Sequence, residues 1–224
     1  MKILNVYYIA FFMIVLFPTM ALAEDKSNIN NNLTSSLSTT PINTTNVDFA
    51  TNVEFIKGHL SAAISNKQAG NNELTQTHTF HPITEIYTLI RDQLSSADNE
   101  LNKTLIDSLK NLTSIVIKST PAELADSAAS VKSLLNKAII IVIPENEIDD
   151  IKFNMSTLIN LLKTAESEYY IGIANGTITN ISEYQNPHGF VSSANELLNE
   201  TTNSLNQTLV SNLSKIKDLL QELH

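Results

Sequence analysis

From Ile83 onward, apolar residues return every three or four positions. They fall at Ile83, Ile86 and Tyr87, Ile90, Leu94, Ala97, Leu101, Leu105, Leu109, Leu112 and Val116. That spacing puts them on one face of an α-helix. Pro82 suits the first helical turn, where its missing N–H is not needed, and Ser95 to Asn99 can divide the run into two helices. Thr120-Pro121-Ala122-Glu123 reads as a capping box with proline at the first helical position. The helix it opens runs through Leu124, Ala128, Val131, Leu135, Ala138 and Val142 and stops at Pro144. A further helix is expected from about Phe153 to Ala174, with Leu158, Leu161, Leu162, Ala165 and Tyr169 inward and Asn175-Gly176 ending it. A second capping box, Ser182-Glu183-Tyr184-Gln185, leads into Val191, Ala194, Leu198, Leu205, Leu209, Leu213, Ile216, Leu220 and Leu223, with a break near Thr201 to Ser204. No alternating pattern competes. The expected fold is all-α, an antiparallel bundle of roughly four to six helices over residues 80–224.

The first 79 residues read differently. Residues 24–79 are largely polar and are expected to form a mostly disordered linker, since a segment with little to bury cannot offset its chain entropy. A weak stripe (Val47, Ala50, Val53, Leu60, Ile64) marks a short helix at 47–64 as an option, and Gly70-Asn71-Asn72 is a breaker. At the N-terminus, Lys2 precedes an apolar run from Val6 to Phe17, then Pro18 and Ala21-Leu22-Ala23. Small residues at the last and third-last positions suit a signal peptidase. Residues 1–23 are therefore expected to be a signal peptide cleaved after Ala23, and the protein to be secreted or extracytoplasmic. An uncleaved signal is the one expected route to a membrane.

Composition adds limits. Loss of Lys2 takes the formal net charge from −9 to −10, which argues against nucleic acid and against anionic lipid. There are no cysteines, so stability rests on apolar burial. Asn-X-Ser/Thr sequons stand at Asn32, Asn43, Asn102, Asn111, Asn154, Asn175, Asn180, Asn199, Asn206 and Asn212. Each is a candidate glycan acceptor in an exported chain, though an Asn- and Thr-rich composition generates sequons freely. Residues 94–102 and 191–199 echo each other, as duplicated helices would and as any two amphipathic helices rich in Leu, Asn and Ser would.

Candidate chemistry is sparse. His81 and Glu85 lie four apart on one helix face and could ligate one ion, with His78 one turn upstream. Two ligands bind weakly, so a second helix has to contribute. Glu166, Glu183 and His188 are the candidates, with Glu168 beside them. The plainer reading has His81 capping a helix start and Glu85 solvated. Nucleophile elbow, phosphate loop, dinucleotide fingerprint and His-Glu-X-X-His are all missing, so catalysis is not expected. Tyr169, Tyr170, Tyr184 and Phe190 flank the Asn175-Gly176 turn and would close one end of the core or form a recognition surface.

One stretch carries a resemblance. Leu161-Leu162-Lys163-Thr164-Ala165-Glu166-Ser167-Glu168-Tyr169, then Asn175-Gly176-Thr177-Ile178-Thr179-Asn180, then Ser182-Glu183-Tyr184-Gln185 and Gly189-Phe190-Val191 is similar to the extracytoplasmic helical segment of iron-permease-type proteins and of related exported archaeal proteins. The resemblance implies a stand-alone extracytoplasmic bundle accessory to a membrane partner. The sequence thus points to a non-catalytic interaction or structural module with a protein or cell-envelope partner. The alternative is an accessory protein binding an iron-like metal. No other cofactor is expected.

Overall fold

The computed structural model describes residues 42–203, 214 and 216–218. The expected signal peptide, the segment to residue 41, Asn32, Asn206, Asn212 and the stripe from Leu205 to Leu213 lie outside the described residues. The described residues form an antiparallel α-helical bundle. Its helices are α1 (Thr44–Gln68), α2 (Asn72–His81), α3 (Tyr87–Ala97), α4 (Asn99–Ile115), α5 (Pro121–Val142), the single turn α6 (Glu145–Ile148), α7 (Ile151–Gly172) and α8 (Ile181–Asn203). A π-helical turn, Pro82–Ile86, joins α2 to α3. Two short strands, β1 (Ile173–Ala174) and β2 (Thr177–Ile178), form a small hairpin between α7 and α8.

The largest departure from the sequence reading is α1. The stretch expected to be a linker, with a short helix at 47–64 as an option, contains the central helix of the bundle, packed against α2, α5, α7 and α8. Val53, Ile56 and Leu60 are fully buried, and polar neighbours on the other faces, Glu54, Lys57, His59, Asn66 and Lys67, are buried as well. A helix surrounded on all sides shows no single apolar stripe. Its polar residues pair inside the protein instead of marking a solvated face. Lys57 Nζ lies 2.6 Å from Glu54 Oε1. Ser193 of α8 donates to the other Glu54 oxygen, and Asn66 Nδ2 donates to the Ala62 carbonyl at 2.9 Å.

The residues after Gly70 are helical too. Asn71 caps α2 by accepting from Leu74 N–H at 3.0 Å. Pro82 therefore stands inside a continuous rod, not at a helix start. It has no N–H to donate back up the helix, and the chain takes the irregularity as a widened turn in which Tyr87 N–H donates to the Pro82 carbonyl. Elsewhere the punctuation follows the sequence. Asp98 caps α4 by accepting from Leu101 N–H at 2.9 Å. At α5, Glu123 N–H donates to Thr120 Oγ1 at 3.2 Å, and Thr120 N–H donates to Glu123 Oε2 at 2.8 Å.

Two details between α7 and α8 differ from expectation. α7 ends at Gly172, and Asn175-Gly176 forms the tip of the β hairpin. Both residues have positive φ (53° and 72°), which a two-residue turn of this hand requires. The cap of α8 is Asn180, which accepts from Ser182 N–H at 3.2 Å, so Ser182 is already helical.

One core fills the space between α1 and α3–α5, and a second lies between α7 and α8. Phe55 of α1 packs against both. α1 and α8 cross at Gly58 and Gly189, where a Cβ on Gly189 would collide with the Gly58 carbonyl. No helix among the described residues is long and apolar enough to cross a membrane.

The sequons divide by exposure. Asn43, Asn111, Asn175 and Asn180 are exposed, and Asn154 and Asn199 are half-buried. Asn102 must be struck from the acceptor candidates. It is buried, and its side-chain oxygen accepts from Tyr87 O–H at 2.8 Å, so a glycan there would have to displace the core.

Candidate metal centre

The α1–α8 crossing sets the geometry of the one histidine cluster found among the described residues. His59 follows Gly58 on α1, while His78 and His81 lie one turn apart on α2, which folds back along α1. Each of the three can offer a ring nitrogen, and these donor atoms all lie within 4.8 Å of one another. His59 and His78 are buried, and His81 is 14% exposed at its side chain. Phe190 of α8 meets the His59 ring edge-on at 5.3 Å between centroids and covers it.

Neighbouring groups orient two of the rings. His78 Nε2 lies 3.0 Å from Gln185 Oε1. The Gln185 carboxamide is itself held by reciprocal hydrogen bonds with Asn66, at 3.0 and 3.2 Å, which fixes its oxygen toward the imidazole. His78 therefore donates from Nε2, and its lone pair is at Nδ1, 3.5 Å from His59 Nδ1. His81 Nε2 faces Glu85 Oε1 at 3.9 Å, and its Nδ1 is buried without a hydrogen-bond partner. Such outer partners, an amide oxygen and a carboxylate, are the groups that orient metal-ligating imidazoles. Two nitrogens bound tetrahedrally at the usual metal distance stand about 3.4 Å apart. The His59–His78 separation of 3.5 Å matches this.

Burial first, then the charges His78 and His81 would carry, hold the His59 imidazole well below its ordinary range. His78 is lowered chiefly by burial, with the Gln185 hydrogen bond and the Glu183 charge working against that and His81 adding to it. Both are neutral, and thus able to ligate, at neutral pH. Beside the trio, burial and then the hydrogen bond and charge of Glu183 push the Glu168 carboxyl up to about 7. Asn186 Nδ2 donates to both Glu168 and Glu183, at 3.4 and 2.8 Å.

His81 and Glu85 are brought together, but 60% of the Glu85 side chain is exposed, behind the ring and away from the orphaned nitrogen. Glu183 reaches His78 through its field only. Glu166 is half-buried on α7, two residues from Glu168, and His188 is exposed on α8; neither belongs to the trio. The sequence reading missed His59, Gln185 and Asn66. Three of the five histidines fall between residues 59 and 81, a clustering that the linker assignment concealed.

The comparison with protein families decides one point. Residues 144–224 match the family model of the iron permease-associated 4-helix bundle domain. No curated protein and no solved structure matches the chain. The matched residues take in α7, the hairpin and α8, where the sequence resemblance lies. They contribute Gln185, Glu168 and Glu183 to the centre, while the three histidines come from the preceding helices.

Proposed function

We propose that this protein is an exported, non-catalytic module that binds a transition-metal ion and acts as an accessory to an iron-permease-type membrane partner. The observation that carries this reading is the orphaned Nδ1 of His81, buried beside two other imidazoles whose donor atoms lie within 4.8 Å. A buried acceptor without a donor costs stability unless something fills the place, and a metal ion does so. Export is supported by the Ala21-Leu22-Ala23 motif; N-terminal sequencing of the protein from its native host should begin at Glu24. The metal reading is tested by equilibrium dialysis of metal-stripped protein against Co2+ or Zn2+, with bound metal measured. One equivalent per chain is expected, and less than a tenth of an equivalent would remove the reading.

A second reading, a cell-surface interaction module, has its own support. Tyr170, Ile171, Ile178 and Ile181 are exposed around the hairpin at one end of the bundle, a site suited to a protein partner. Ile171→Glu with Ile178→Glu should release the protein from its envelope partner and leave its metal content unchanged. Retained association would count against docking through the hairpin.

A further inference from the structure

The donor set says which ion the centre takes, an inference that rests on the metal-binding reading. We infer that the trio selects a divalent ion of the later transition series and excludes a trivalent ion such as ferric iron. Four features carry this. First, the three donors are imidazole nitrogens, borderline ligands that suit ferrous iron, cobalt, copper and zinc. Ferric iron is a harder acid and favours anionic oxygen.

Second, among the described residues no carboxylate joins the trio. His78 is backed by a carboxamide, Gln185, where a carboxylate would have supplied negative charge. That carboxamide is locked by Asn66. Glu85 stands behind His81 and is largely exposed, so solvent screens it. Third, the surroundings are dry. His59 and His78 are buried and Phe190 covers His59. The cost of desolvating an ion rises with the square of its charge, so each added positive charge is opposed steeply here. Fourth, the nearby carboxylates are already engaged: Glu168 and Glu183 bind Asn186 and each other.

Gln185 is the positioning residue in this arrangement. It holds the His78 proton at Nε2 and so presents the Nδ1 lone pair to the ion. Gln185→Leu should weaken binding, while Gln185→Glu, which adds a charge behind the same ring, should retain divalent binding and begin to admit a trivalent ion.

The experiment compares Co2+ with Ga3+, a redox-inert stand-in for ferric iron, each buffered by citrate, on the full chain. Fe2+ under anaerobic conditions forms a third arm. Co2+ should raise the melting temperature and give the intense visible bands of a low-coordinate nitrogen site, Fe2+ should raise the melting temperature, and Ga3+ should leave it unchanged. His81→Ala, at the least buried of the three rings, should abolish the Co2+ bands without loss of the helical spectrum, and Glu85→Gln should keep them. Equal stabilisation by Ga3+ and Co2+ overturns the selectivity while leaving metal binding intact. Co2+ binding that survives His81→Ala but is lost in Glu168→Gln with Glu183→Gln puts the ion on the carboxylates and overturns the assignment. Failure of every ion to bind removes the metal-binding reading and this inference together.

Discussion

Two buried polar clusters lie less than two turns apart on α1, and they are built on opposite principles. Around Glu54, Lys57 and Ser193, every charge has an answer: Lys57 pairs with one carboxylate oxygen and Ser193 donates to the other. Around His59, His78 and His81, Gln185 holds the outer nitrogen of His78, the Nδ1 atoms of His59 and His78 meet at 3.5 Å, and His81 Nδ1 is buried with no hydrogen-bond partner. The first cluster is closed and ties α8 to α1. The second is held open by Gln185 and Glu85. A self-satisfied polar core needs nothing further, whereas a buried ring nitrogen left without a partner calls for an explanation, which the proposed ion would supply.

The sharpest test of this contrast is to break the closed cluster. Glu54→Ala leaves Lys57 buried and unpaired, with an expected loss of about 3–5 kcal/mol in denaturant unfolding. Glu54→Leu with Lys57→Met should recover most of that loss. A similar loss from the double change would show that the pair does more than satisfy itself. The next largest effect is expected at the crossing that both clusters share. Gly189→Ala drives a methyl into the Gly58 backbone and should cost about 1–3 kcal/mol. It should also weaken metal binding, because it moves Gln185 and Phe190 away from the histidines.

The open cluster should respond to metal where the closed one does not. At a free ion concentration about 100 times the Kd, stabilisation should be about 2.7 kcal/mol. His81→Ala with Glu85→Ala should erase that gain in a thermal melt. An undiminished shift in the double variant would separate metal binding from the trio.

The smallest effect is the pH dependence of the metal-free protein. His59 and His78 are lowered by burial, so the unfolded chain binds more protons than the native state below the ordinary histidine value of 6.5, and stability falls on acidification. Glu168 is raised from an ordinary 4.5 to about 7, so its contribution is complete below 4.5 and is lost as the pH rises to about 7. Between 4.5 and 6.5 the two trends oppose each other. Glu168→Gln should therefore steepen the acid-side fall and remove the decline toward pH 7, as read from denaturation midpoints across that range. An unchanged profile would mean that burial and Glu183 do not raise the Glu168 carboxyl.

The legibility of the chain followed how each helix meets solvent. Helices α3–α5 have one buried face, and their stripes, the break within Ser95 to Asn99 and the cap at Thr120 could be read directly. Asn175-Gly176 was recognisable as a turn but not as a hairpin tip, because pairing of Ile173 with Ile178 depends on how α7 and α8 approach. The site was half legible. His81 and Glu85 share a helix face by spacing alone, but no local signal joins His59 to His78 or Gln185 to either, since those meetings depend on helices folding back on one another.

By itself the sequence determined that residues 80 onward are helical, where most of those helices begin and end, and that the stretch from Leu161 to Val191 resembles the helical segment of iron-permease-type proteins. Periodicity, caps and breakers are local, and a local code carries that much. Only the tertiary structure decided that α1 is central, that Glu54 and Lys57 are buried together, that Asn102 is in the core, and that three histidines converge under Phe190. Whether a polar residue is solvated, paired or poised for a ligand depends on what packs against it, and along this chain those partners come from helices distant in sequence.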